Sequence, residues 1–205
     1  MTLINPGVVY VAYGQKALQE ARFSAESLTM VHREWPVVVI SDHEVGWAPS
    51  IEWVDRGTPG RWAKVNLDVL SPFEGTLFLD ADTRVYGDLR IGFNLLELGW
   101  DMVMVHSQPQ GGALLGHLTD HERIVTLSQC SIDPLQLNTG VIWFQKSERV
   151  RRLFREWRVE WERFKDKDQG ALLRALEKCK TSIALLGRPY NGGAVVGHRF
   201  GAARG

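Results

Sequence analysis

The sequence predicts an α/β fold, a mostly parallel central sheet with helices on both faces, in a single domain spanning residues 1–205. Three observations predict it. Short apolar, β-branched runs alternate with segments of helical period along the chain, as strand–helix–strand units require. One of those runs, Thr76 to Leu79, ends in Asp80-Ala81-Asp82, which places acidic oxygens at the rim where open α/β sheets bind ligands. The chain has 205 residues, 44% hydrophobic and 23% charged, enough to bury a sizeable core in one globular unit.

Val8-Val9-Tyr10-Val11-Ala12 reads as the first strand, closed by Tyr13-Gly14. Residues 16–31 follow a helical period, with Leu18, Ala21, Ala25, Leu28 and Met30 near one face. Pro36 to Ile40 is a second strand stopped by Ser41-Asp42, and Ile51 to Val54 a short third. Residues 61–70 read as a helix carrying Trp62, Val65, Leu67 and Leu70. The turn Ser71-Pro72-Phe73-Glu74-Gly75 then leads into the strand that ends at Asp80. Met102–Val105 and Leu137–Gln145 are further strands. Residues 147–164 form the clearest helix, with Val150, Leu153, Phe154, Trp157, Trp161 and Phe164 at a 3.6-residue period. Its arginines and tryptophans would suit a membrane surface, but Glu148, Glu156, Glu160 and Glu162 dilute the basic face, so core packing is expected. A helix over 168–178 follows, and the Gly-rich tail from Gly187 reads as loop.

Bulk properties exclude several classes. Formal net charge is zero, so no global field draws the chain to nucleic acid or acidic membranes, and an anionic ligand must be recognised locally. Cys130 and Cys179 stand in no metal-type or redox-type spacing and read as reduced thiols. The N-terminus carries no signal-type region, and no run of about 18 apolar residues could span a bilayer. The expectation is a soluble, cytoplasmic protein with no transmembrane segment.

The pair Asp80 and Asp82 carries the chemistry. Two carboxylates one residue apart repel unless protons or a cation neutralise them. A divalent metal held by oxygen ligands does so and also clamps phosphate. A lone Asp after a strand would be a turn former; two at this rim point to a metal–phosphate role.

With these residues laid out, the chain resembles glycosyltransferases of the GT-A fold, in particular the glycogenin-like and lipopolysaccharide-galactosyltransferase-like (family 8 type) retaining group. Leu77 to Thr83 is similar to that group's Leu-Asp-Ala-Asp-Thr segment. Val9–Gly14 resembles its first strand and nucleotide-contacting turn, and Lys64 its lysine on the helix before the metal strand. Asn138-Thr139-Gly140-Val141 and Asp168-Gln169 resemble its Asn-Ser/Thr-Gly-Val strand and its Asp-Gln pair. His198-Arg199-Phe200-Gly201-Ala202-Ala203-Arg204 fits its His-x-x-Gly-x-x-Lys pattern with Arg for Lys, and the Pro-Trp that often follows is absent.

The resemblance implies a nucleoside-diphosphate sugar donor, most often a UDP-sugar, an open acceptor, and Mn²⁺ or Mg²⁺ as cofactor. It implies Asp80, Asp82 and His198 as metal ligands; an imidazole beside two carboxylates shifts the preference toward Mn²⁺. It implies that Asp168 binds donor hydroxyls, that Gln169 lies near the reacting anomeric carbon, and that Asn138 and Gly140 line the donor sugar. Asp80 and Ala81 would lie beside the ribose and Ala12, Tyr13 and Gly14 beside the base, while Gly201 and Arg204 would hold the diphosphate. Read as residues alone, Tyr13 either stacks on a base or is a buried Tyr with a satisfied hydroxyl. Lys64 is either a solvated lysine or a partner of the carboxylates or sugar-phosphate, and Asp168 either a helix cap or a ligand. Asp133, Glu122 and Asp166 are the available general bases, and none stands out, which favours retention.

Two alternatives share the motif. Phe78 to Thr83 also fits the Asp-x-Asp-x-Thr of haloacid-dehalogenase-type phosphatases, although there it closes the first strand of the domain. A nucleotide-sugar-binding module of the same fold without activity is the other.

Overall fold

In the computed structural model, which describes residues 5–42, 44–53, 60–107, 114–130 and 136–203, the first apolar run forms β1 (Pro6–Val11). Gly14, at φ +78°, turns the chain into α1 (Gly14–Val31), whose buried stripe includes Leu18, Ala21, Ala25 and Leu28. Met30 falls off that stripe and is exposed. Strands β2 (Val37–Ser41) and β3 (Ser50–Glu52) follow.

The single helix expected over 61–70 is two short ones, α2 (Arg61–Lys64) and α3 (Leu67–Leu70). Asn66 explains the break. Its Nδ2 donates to the Trp62 carbonyl at 2.7 Å, taking the acceptor its own backbone N–H would use in a continuous helix.

Beyond β4 (Gly75–Asp80) the chain forms β5 (Thr83–Val85), α4 (Arg90–Glu97), β6 (Met102–His106), α5 (Asp120–Gln129) and β7 (Leu137–Gln145). Then come α6 (Glu148–Glu162), α7 (Asp168–Lys178), β8 (Ile183–Leu186), a 3₁₀ turn at Arg188–Tyr190 and β9 (Val196–His198). The tail expected as loop thus contributes a strand, β9, which pairs antiparallel with β5 as a two-stranded ribbon.

Among the described residues the main sheet has seven strands in the order β3-β2-β1-β4-β7-β6-β8, and β7 alone runs against the others. Neighbouring residues serve opposite faces, which is why the strands are apolar at consecutive positions. Val8, Tyr10, Leu77 and Leu79 pack with α1 and α4, whereas Val9, Phe78, Ile142 and Phe144 pack under α3, α6 and α7. The aromatic residues of α6 belong to this second layer, with Trp157 and Trp161 buried, and Arg155, Arg158 and Arg163 paired to Glu148, Asp68 and Glu160. Among the described residues no helix is long and apolar enough to cross a membrane.

Candidate active site

β4 keeps its parallel register with β1 up to Val11↔Asp80, so Asp80 is the residue at which the strand leaves the sheet. The turn that follows is pinned from inside. Thr83 Oγ1 donates to the Asp80 carbonyl at 2.8 Å and shares a 2.7 Å hydrogen bond with Ser24 of α1. Thr83 then opens β5, and its register partner on β9 is His198. The ribbon therefore returns an imidazole from the far end of the chain to the rim of β4.

His198 Nε2 stands 3.0 Å from Asp82 Oδ1 and 3.8 Å from Asp80 Oδ2, and one ligand atom from each residue lies within 4.8 Å of the others. Two ligand atoms each about 2.1 Å from one cation, roughly at right angles, stand about 3.0 Å apart. The donor set, two carboxylates and an imidazole, and its spacing fit a divalent metal. Asp82 also accepts the Gly201 N–H at 2.7 Å. Burial raises the Asp82 carboxyl, but the hydrogen bonds and charge of His198 and the Gly201 N–H outweigh it and hold it at about 2. Gly201 thus spends its N–H on a carboxylate, and its φ of +88° permits that turn.

Gly140 sits where no side chain fits. A Cβ there would lie 2.6 Å from the His198 ring and 2.7 Å from Asp80 Oδ2. β7 bulges past β6 at this point, the register passing from Met104↔Ile142 to Val105↔Asn138. What approaches Gly140 is therefore the Asp80–His198 cluster.

Lys64, in the last turn of α2, is buried and joins the cluster to α7. Its Nζ donates to Asp80 Oδ1 at 3.0 Å and lies 3.1 Å from Asp168 Oδ2. Asp168 is thus held by the Lys64 ammonium, with the Thr139 hydroxyl as a second partner. Burial pushes Asp168 up and Lys64 down, and the two opposite charges prevail, holding the carboxyl low and the ammonium high. Both are charged, and the solvated-lysine reading of Lys64 does not hold.

The remaining residues take these places. Ala12 is buried at the end of β1 and donates its N–H to Ile40 O at 3.0 Å. Tyr13 is half-buried, and its hydroxyl donates to the Trp53 carbonyl at 2.6 Å. Ala81 is buried in the turn between the two aspartates. Asn138 is the second residue of β7, two before Gly140, and Gln169 is half-buried in the first turn of α7. Of the three residues considered as bases, Glu122 is buried against Arg174 and Asp166 is paired with Arg61. Arg204 and Asp133 lie outside the described residues.

The structure adds two residues that motif reading left unassigned. Thr139 Oγ1 lies 3.4 Å from Lys64 Nζ, within the Asn-Thr-Gly-Val segment. Asn191, just after the 3₁₀ turn, is buried and hydrogen-bonded to His198, and nothing in its sequence neighbourhood marks it.

No protein-family model matches the chain, and no curated protein matches its sequence. Solved structures do match. A galactosyltransferase, LgtC, solved in complex with donor and acceptor sugar analogues, aligns at TM-score 0.60 with 14% identity over 89% of this chain and 73% of its own. The glycosyltransferase GlyE of Streptococcus pneumoniae TIGR4 aligns at TM-score 0.57 and 18% identity over 91% of this chain, but this spans only 46% of GlyE. Mouse xyloside xylosyltransferase 1 aligns at TM-score 0.57 and 12% identity over 88% of this chain and 84% of its own. The chain has the GT-A fold of these glycosyltransferases.

Proposed function

We propose that the protein is a metal-dependent glycosyltransferase that moves a sugar from a nucleoside-diphosphate donor, a UDP-sugar, to an acceptor hydroxyl with retention of anomeric configuration. One observation carries the reading: Asp80, Asp82 and His198 converge at the C-terminal rim of β4, on a fold shared with glycosyltransferases. Mn²⁺ held by these three would supply positive charge to the diphosphate as it leaves. The chain's own residues do the rest. Asp168, kept ionised by Lys64, offers a carboxylate to donor hydroxyls. Asn138 has its carbonyl oxygen occupied by Gly140 N–H and Asn191 Nδ2, so it addresses the sugar through its own Nδ2. Gln169, in the same turn as Asp168, lies beside the reacting carbon.

Retention is supported by the ion pairs of Glu122 and Asp166, which leave neither as a free base. In front-face attack the acceptor oxygen bonds to the anomeric carbon as the bond to the phosphate oxygen breaks. The acceptor's proton passes to that phosphate oxygen. The phosphatase reading draws no support from the aligned structures, which are glycosyltransferases.

The test is nucleotide release from UDP-, GDP-, ADP- and TDP-sugars with Mn²⁺ or with chelator. Release from one donor that needs Mn²⁺ and falls at least about 100-fold in Asp82→Ala is the expected result. Phosphate release from a phosphomonoester instead would establish the phosphatase. Donor binding with no turnover under any condition would leave a binding module.

A further inference from the structure

We propose that Asn191 is a positioning residue that holds His198 with its proton on Nδ1 and so presents Nε2 to the metal, an inference that rests on the metal reading of the cluster. The chain of donors has one fixed end. The Gly140 backbone N–H can only donate, and it donates to Asn138 Oδ1 at 2.7 Å. That settles which way the Asn138 amide faces. Asn191 meets the same oxygen at 2.5 Å, and two carbonyl oxygens cannot share that distance, so the atom of Asn191 there is its Nδ2. Its Oδ1 then faces His198 Nδ1, 2.6 Å away, and an amide oxygen only accepts. Nδ1 must therefore carry the hydrogen. The remaining nitrogen, Nε2, is the one directed at Asp82 and Asp80.

Two further contacts fix the ring's plane. Phe200 stacks on it with ring centres 4.0 Å apart, and Gly140 leaves room for its edge. Asn191 itself is held because the 3₁₀ turn closes on its backbone, its N–H donating to Arg188 O at 3.0 Å. The order Gly140–Asn138–Asn191–His198 also ties the expected donor contact, Asn138, to the metal ligand through one asparagine. Hydrogen-bond partners behind a ligating histidine commonly tune metal affinity by about 10- to 100-fold.

The experiment uses the full chain in three forms: wild type, Asn191→Leu and Asn191→Asp. Mn²⁺ affinity is titrated by electron paramagnetic resonance, and the His198 ring nitrogens are observed by ¹⁵N NMR in metal-free protein, assigned with His198→Gln. Melting temperature confirms that each variant is folded. The expected result is a proton on Nδ1 in wild type, lost as a fixed site in Asn191→Leu, with Mn²⁺ bound about 10- to 100-fold more weakly. Asn191→Asp still offers an oxygen to Nδ1 and should keep the Nδ1 proton, although it sets its second oxygen against Asn138 Oδ1 in place of the Nδ2 donor. A bare Nδ1 in wild type, or an Asn191→Leu protein that binds Mn²⁺ as tightly as wild type, overturns the assignment. A wild type that binds no Mn²⁺ overturns instead the metal reading beneath it.

Discussion

Replacing Arg174 with methionine is expected to cost about 3–5 kcal/mol of folding stability, because it strands buried Glu122 and removes one of the three cations that hold buried Glu160. Arg174 is 1% exposed, donates to Glu160 Oε2 at 2.8 Å and Glu122 Oε1 at 3.1 Å, and thereby ties α7 to both α6 and α5. Glu122 already has one buried oxygen with no hydrogen-bond partner. Burial raises its carboxyl, and Arg174 is the charge that opposes the rise. Glu160 behaves in the opposite sense. Burial raises it, but hydrogen bonds from Lys178, Arg174 and Arg163 prevail and hold it at about 2, below its ordinary 4.5. A depressed carboxyl contributes stability that is present above its unfolded value and lost as pH falls through its folded value. Wild type should therefore lose on the order of 3 kcal/mol between about pH 4.5 and pH 2. The deficit of Arg174→Met should shrink over the same window, since Glu122, left without its cation, and Glu160 become neutral. Denaturant melts at pH 7, 4.5 and 3 measure both. A deficit that is constant with pH would mean that Arg174 contributes packing rather than charge.

Lys64→Met is expected to have the second largest effect, on catalysis more than on stability. The lysine is the buried cation shared by Asp80 at the metal cluster and Asp168 at the start of α7. Without it Asp168 loses the charge that opposes its burial, and the contact that ties Asp80 to α7 is gone. The groups proposed to hold metal and donor hydroxyls would move apart. A displacement of about 1 Å at such a site costs on the order of 100-fold in rate. Steady-state kinetics on the active donor should show kcat falling roughly 100-fold. A variant with wild-type kcat would show that Lys64 serves the fold alone.

How much of this was legible in the sequence depended on what each face buries. β1, β2, β4 and β7 bury both faces, so their apolar runs read as strands, and Asp80 follows one of them directly. α5 was not legible because its face is inverted: Glu122 and Thr126 are buried toward Arg174, while Ile124 and Leu127 face out. A search for apolar periodicity passes over such a helix. β5 and β9 are three residues each, too short for a pattern, and β8 is an edge strand of four. Among the site residues, Asp80, Asp82, Asn138, Gly140, Asp168 and His198 stood in motifs, and the structure brings all six to one rim. Lys64 could be resolved only by burial, since a helical lysine on paper looks solvated. Asn191 had no signal at all, because its role depends on a contact with Asn138 across 53 positions.

The measurement that bears most directly on the metal–diphosphate reading is the affinity for UDP with Mn²⁺ and with chelator, in wild type and in Asp82→Ala. Binding that tightens at least about tenfold with Mn²⁺ in wild type, and not in the variant, is the predicted result. UDP bound equally well with chelator, or equally by Asp82→Ala in Mn²⁺, would contradict it.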